Sequence, residues 1–295
     1  MFAIREFVGS TPGPRLLITG GVHGDEFEPI AVIQRLITGF SEKSELNGTL
    51  TLVPIVNEAA FLRGHRVAAE DGLDLARTFP GSADGSLTER VADQLAGMIQ
   101  QSDFYIDLHT GGTEISVLPM TGYMLHSDES VLAKQRDMAR AFGIPFIWGT
   151  SAGLDGRSMS AARDADVPAI YAEYLGSATC SDAGIEAYFD GCLNVMAAIG
   201  MLTDFVPKPV GEIEVVEDNS EASGHMQLCH PAPFAGLFYP EVELGESVSE
   251  NAILGTVVDF TGETSGNIIA EKSGRVVVLR TFPRVREGDS CGVIA

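Results

Sequence analysis

The first two-thirds of the chain alternate between short apolar runs and longer amphipathic stretches. Leu16-Leu17-Ile18-Thr19 is an apolar run ending at Gly20-Gly21, the pattern of a short buried strand. Residues 27–39 follow, with Ile30, Val32, Ile33, Leu36 and Ile37 at helical spacing. Residues 50–56 predict a second strand. Pro54 within it donates no ladder hydrogen bond, so this strand is expected to be bulged, short or near an edge. Ser86-Leu87-Thr88-Glu89 has the Ser-x-x-Glu spacing of a capping box and opens a helix to about Gln100. Further strands are predicted over 104–108, 145–148 and 167–174, and a last helix over about 182–200. Strands alternating with helices predict an α/β domain whose largely parallel sheet is covered on both faces.

The texture changes at Val206-Pro207-Lys208-Pro209. Helical periodicity ends there, and short β-like runs separated by glycine turns take over. Leu244-Gly245-Glu246-Ser247-Val248 and Arg286-Glu287-Gly288-Asp289-Ser290 read as half-repeats, each leading to another apolar run. The expected organisation is a domain over 1–206 and a small all-β domain over 207–295 with internal pseudo-symmetry.

Composition narrows the function classes. With 45% hydrophobic residues in 295, the chain can bury a sizeable core. Its 41 acidic and 19 basic side chains give a net charge of −22, which repels phosphate backbones and argues against nucleic acid as partner. The four cysteines show no CxxC spacing, which argues against a cysteine zinc site and suits a reducing compartment. The N-terminus lacks the pattern of a signal peptide, and no apolar run approaches a membrane span. A cytoplasmic protein that does not engage membranes is expected.

Three segments carry candidate chemistry. His23-Gly24-Asp25-Glu26 follows the first strand and is expected to open a helix, where positions i and i+3 share a face and both side chains can reach one ion. Read alone, it is equally a capped helix start. Asp107 and His109 stand two apart on a predicted strand and point the same way, with Asp107 able to orient a ligand imidazole. Read alone, they are a buried pair satisfying each other. Glu173 ends an otherwise apolar strand, where burial raises a carboxyl pKa toward a range useful for proton transfer. It is otherwise a structural Glu paired with an Arg. His23, Glu26, Asn57, His109 and Glu173 all fall at the carboxyl ends of predicted strands, the rim where sites form in open parallel sheets. Segments 57–66 and 74–81 add guanidinium groups in an acidic chain, suited to a substrate carboxylate or an oxyanion, or to surface salt bridges.

In chain order, GGVHGDE (20–26), NEAAFLRGHR (57–66), DLARTFPG (74–81), DLHTGG (107–112) and AEYLG (172–176) resemble the succinylglutamate desuccinylase and aspartoacylase family, relatives of the zinc carboxypeptidases. The resemblance implies a three-layer α/β sandwich with a mainly parallel mixed sheet. Residues 207–295 look like that family's C-terminal β domain, similar to a barrel sandwich. It implies one zinc ion per chain on His23, Glu26 and His109, with Glu173 as general base and acid. Arg66 would polarise the scissile carbonyl with Asn57 nearby, and Arg77 would hold a substrate carboxylate, with Arg157 a further substrate-binding candidate. The implied reaction is hydrolysis of the amide of a small N-acyl amino acid or related amine. A zinc carboxypeptidase acting on peptides and a catalytically silent scaffold or ligand-binding protein are the alternatives. Two histidines and a carboxylate also suit non-haem iron, and a homo-oligomer stays open. The family's Asp-Leu-Asn-Arg is here Asp74-Leu75-Ala76-Arg77, which removes an amide expected at the substrate carboxylate and leaves the substrate's identity open.

Overall fold

The computed structural model describes residues 2–40, 46–221, 223–226 and 229–295. The first part of the chain runs β1 (Arg5–Val8), β2 (Thr11–Thr19), α1 (Glu28–Phe40), β3 (Asn47–Val53), α2 (Glu58–Arg63), α3 (Leu87–Gln100), β4 (Phe104–His109) and β5 (Ile115–Met124). It continues through α4 (Glu129–Phe142), β6 (Phe146–Thr150), α5 (Ser158–Asp164), β7 (Ala169–Gly176) and α6 (Asp182–Ala198). Among the described residues only strands follow: β8 (Glu214–Glu217), β9 (Gly236–Pro240), β10 (Ser247–Val248), β11 (Ile253–Val258), β12 (Ser265–Ile269), β13 (Gly274–Arg280), β14 (Arg284–Val285) and β15 (Gly292–Ile294).

The main sheet is mixed. Strands β3, β2, β4 and β7 are parallel neighbours in that order, β1 closes one edge antiparallel to β3, and β5 runs antiparallel to β7. Successive residues of a strand face opposite layers, and β2 shows it. Leu16 and Ile18 pack with α1, α4 and α6, whereas Leu17 packs with α3 and α5. The result is the helix–sheet–helix layering that the apolar strands require, since a sheet buried on both faces needs a cover on each. The capping box forms as expected: Glu89 Oε2 accepts from Ser86 N at 2.7 Å and Ser86 Oγ from Glu89 N at 3.4 Å.

Two expectations need correction. Pro54 lies one residue beyond β3 and so removes no ladder bond from it; the strand ends at Val53 rather than at 56, and it does lie near an edge, second in the sheet between β1 and β2. The ten-residue β5, absent from the predicted elements, contains Pro119 and Gly122. Pro119 sits where the β5/β7 register shifts between Val117 and Met120, so the missing donor falls in a bulge.

The chain after residue 206 stays hydrogen-bonded to the main sheet: β8 pairs with β6 and β13 with β5. The remaining strands form a four-stranded sheet in the order β12-β11-β9-β14. Its inward residues Phe238, Leu254, Val257 and Ile268 pack against Val248, Val276, Leu279 and Ile294 of the facing strands. The half-repeats fold into the same turn. Glu246 N donates to Glu243 O and Asp289 N to Arg286 O, both at 3.1 Å, and the acid at the fourth position accepts from the first backbone N–H. Gly245 and Gly288 both take φ of +86°, which only glycine adopts without strain.

Candidate active site

His23 and Glu26 lie on the turn between β2 and α1, not on a helical face as expected, because α1 begins only at Glu28. The turn is shaped by a close approach of backbones: a side chain at Gly24 would collide with the Ala60 carbonyl in α2. Asn57 fixes α2 there, since its Oδ1 accepts from Ala60 N at 3.1 Å and its backbone N–H donates to Gly21 O at 2.9 Å. The same turn is tied to the loop after His109, where Thr113 N donates to Asp25 Oδ2 at 2.9 Å. His109 is the last residue of β4, and Glu173 is its register partner on β7.

These segments bring three donor groups together. Ligand atoms of His23, Glu26 and His109 all lie within 4.8 Å of one another. Glu26, 1% exposed, faces both rings: Oε1 is 2.6 Å from His23 Nδ1 and Oε2 is 3.0 Å from His109 Nδ1. The far nitrogens each meet another carboxylate. His109 Nε2 is 3.1 Å from Asp107 Oδ2 and His23 Nε2 is 3.2 Å from Asp74 Oδ1. Asp107 is fully buried and accepts from Thr19 Oγ1 at 2.7 Å and from Ser158 Oγ. Asp107 thus stands behind His109, a position that suits either reading of the pair, and Asp74 stands in the same way behind His23. Sequence spacing carried no signal for the second, because 51 residues separate the pair.

The electrostatics follow from this packing. Burial opposes a charge on His109, but Asp107 and Glu26 outweigh it and hold its pKa well above the usual imidazole range. Burial and Arg66 oppose a charge on His23, yet Glu26 and Asp74 raise its pKa as well. Burial works against ionised Glu26 too, and the two imidazoles hold it far below the usual carboxylate range. Glu173 differs: burial, opposed by His109 and reinforced by Glu26, pushes it up to about 7. Its Oε2 is buried with no hydrogen-bond partner.

A pocket with about 590 Å³ of atom-free space, its open mouth included, reaches this cluster. Arg66 donates through Nε and Nη2 to Asp74 Oδ2 at 3.0 and 2.9 Å, which leaves Nη1 3.5 Å from His23 Nδ1 and turned toward the donors. Arg77 and Arg157 line the same pocket. Arg77 reaches solvent at the mouth, yet partial enclosure and the nearby Arg157 lower its pKa to about 10. Gly224 and Met226, from the segment after β8, close one side. Asn57 is not brought to this pocket: it caps α2 and its Nδ2 is buried without a partner. Tyr171 lines the pocket and was not among the expected site residues. Its period-two relation to Glu173 was the available signal.

Two imidazole nitrogens and a carboxylate are donors that zinc takes, and ligands at about 2.0–2.2 Å from one ion stand roughly 3.3 Å from each other in a tetrahedral set. The contacts of Glu26 with both rings are already of that order. Three groups that could hold a metal ion thus lie at the carboxyl rim of the mixed sheet, with a buried carboxyl beside them. The catalytic-domain model of the succinylglutamate desuccinylase/aspartoacylase family matches residues 12–199, and the chain belongs to that family. The N-alpha-acetyl-L-2,4-diaminobutyric acid deacetylase of Halomonas elongata is 30% identical over 289 residues, 96% of this chain and 82% of that protein. A succinylglutamate desuccinylase/aspartoacylase structure from Rhodobacter sphaeroides superposes with a TM-score of 0.87 at 25% identity, covering 99% of this chain and 88% of that one. The product-bound ectoine utilization protein EutE (DoeB) from Ruegeria pomeroyi shares the fold, with a TM-score of 0.86 at 24% identity over 99% of this chain and 87% of that one. Among the described residues no helix is long and apolar enough to cross a membrane.

Proposed function

We propose that the chain is a zinc-dependent amidohydrolase that removes the acyl group from a small N-acyl amino acid. The observation that carries this reading is the convergence of His23, Glu26 and His109 within 4.8 Å, with Glu173 opposite His109 on the next strand. In this reading those three residues hold one zinc ion, which when bound supplies Lewis acidity and lowers the pKa of water. Glu173 accepts a proton from the attacking water as the oxygen bonds to the amide carbon. The Nη1 end of Arg66, anchored by Asp74, stabilises the oxyanion. Glu173 then returns the proton to the leaving nitrogen as the C–N bond breaks, giving a carboxylate and a free amine. Arg77 and Arg157 hold the substrate's carboxylate.

The C-terminal segment supports a small substrate over a peptide, since Gly224 and Met226 narrow the pocket that an extended chain would need. The Halomonas elongata relative makes Nα-acetyl-2,4-diaminobutyrate the first compound to test. The experiment is a screen of N-acetyl, N-succinyl and N-formyl amino acids against protein loaded with zinc, loaded with iron, or stripped. Turnover of at least one compound that requires zinc is expected. Hydrolysis of peptides alone, or turnover undiminished in the stripped protein, would overturn the assignment.

A further inference from the structure

The hydrolysis proposed above makes no use of Tyr171, although its side chain lines the pocket. Tyr171 stands two residues before Glu173 on β7, so both project from one face of the sheet. Its register partner across the antiparallel pair β5/β7 is Gly122. The ring lies over that glycine, and any side chain at 122 would collide with Cζ and the phenolic oxygen. Gly122 therefore creates the space that the phenol fills. The hydroxyl makes no hydrogen bond with the described residues, and its oxygen is not among the buried unpartnered atoms, so it is open to the pocket.

Arg157 lies close enough to Tyr171 to act on its charge, and it also retains an unused donor. Its Nη1 donates to Gly224 O at 3.2 Å, whereas Nε is buried without a partner. Burial and the neighbouring Glu173 raise the Tyr171 pKa against the pull of Arg157, so the phenol keeps its proton at neutral pH and can donate. Arg66, Arg77 and Arg157 add positive charge around it, and Glu173 is the only carboxylate among the lining residues. Asp74 takes two donors of Arg66, and the unused donors of Tyr171 and Arg157 beside the remaining guanidinium charge select an anionic acceptor.

We propose that Tyr171 is a substrate-positioning residue whose O–H, together with Arg157, binds the carboxylate of the substrate's amino-acid part. The proposal rests on the deacylase reading and adds to it a residue and a ligand atom. The test uses full-length, zinc-loaded Glu173→Gln protein, in which binding is read without turnover. Calorimetry compares Nα-acetyl-2,4-diaminobutyrate with N-acetyl-1,3-diaminopropane, the same compound without its carboxylate. Tyr171→Phe on that background is expected to weaken the first compound about tenfold, the effect of losing one hydrogen bond to a charged group, and to leave the second unchanged. Its unfolding temperature should match the parent's or exceed it, because the hydroxyl removed had no partner in the protein. Equal weakening of both compounds, or no weakening of either, overturns the role of Tyr171 while leaving the deacylase reading intact. Failure of the parent to bind the carboxylate-bearing compound, while the active enzyme turns over another N-acyl amino acid of the screen, overturns the role of Tyr171 alone; failure to bind or turn over any of them overturns both.

Discussion

Glu173 lies directly opposite His109 across the parallel pair β4/β7. That register places a buried carboxyl, with an unpartnered Oε2, beside one of the three candidate metal donors. Strand pairing is rigid on the scale of a side chain, so the relation does not depend on a mobile loop. A slip by one residue would send Glu173 to the other face of the sheet. The hydrogen-bond ladder that makes the sheet thereby also sets the distance between Glu173, the proposed proton acceptor, and the candidate metal donor His109.

Glu173→Gln keeps the shape of the side chain and removes its basicity. The variant should retain its metal and lose turnover by about 10²–10⁴-fold. Elemental analysis alongside kcat checks this, and near-normal kcat with full metal would exclude Glu173 as the proton carrier.

Asp107 is fully buried behind His109, whereas Asp74, partly exposed, backs His23 and also holds Arg66. Asp107→Asn should weaken zinc affinity by about 10–100-fold. Asp74→Asn should affect both affinity and kcat, since it also frees the Arg66 guanidinium. Chelator competition and steady-state kinetics separate the two outcomes. Equal loss of affinity with unchanged kcat in both variants would break the link between Asp74 and Arg66.

Without metal, the two imidazoles have their pKa raised. His109 has its folded pKa raised, so its contribution to stability is present below the unfolded value and is lost as pH rises through the folded one. Metal must displace that proton, so zinc affinity should climb with pH until His109 is neutral and then level off. Zinc titrations against a competing chelator at a series of pH values test the sign. An affinity independent of pH below the plateau would show that the imidazoles are already neutral.

Gly24 allows the turn that carries His23 and Glu26 to lie against α2. Gly24→Ala would push its new methyl group into the Ala60 carbonyl. Displacement of the turn should cost about 1–3 kcal/mol of stability and weaken metal binding by moving His23 and Glu26. Thermal unfolding with and without zinc measures both effects. A stability loss with metal affinity intact would locate the strain in α2 alone.

Local chemistry made much of the fold legible. The apolar runs of β2, β4 and β7 identify buried strands because strands covered on both faces have no polar side, and Ser86 with Glu89 marks the start of α3 because capping is local. Of the elements absent from the prediction, two hid for equally physical reasons. Pro119 and Gly122 break the strand pattern of β5, one sitting at a bulge and the other making room for Tyr171. In α4 the apolar face is interrupted by Gln135, a buried amide whose Nε2 donates to the Met124 and Ala169 carbonyls, partners on two other strands that its own helix gives no sign of.

The sequence by itself determined the layered α/β class, the change of texture near residue 206, the donor types at 23, 26, 109 and 173, and their place at the ends of strands. These depend on periodicity and residue chemistry, which act over a few residues. Only the tertiary structure decided that His23 and Glu26 meet His109 from a turn, that Asp74 backs His23, that Asn57 serves α2, and that Gly224 and Met226 wall the pocket. Those relations join segments up to about two hundred residues apart. They arise from strand order and register, which are set by the packing of the whole sheet rather than by any stretch of chain within it.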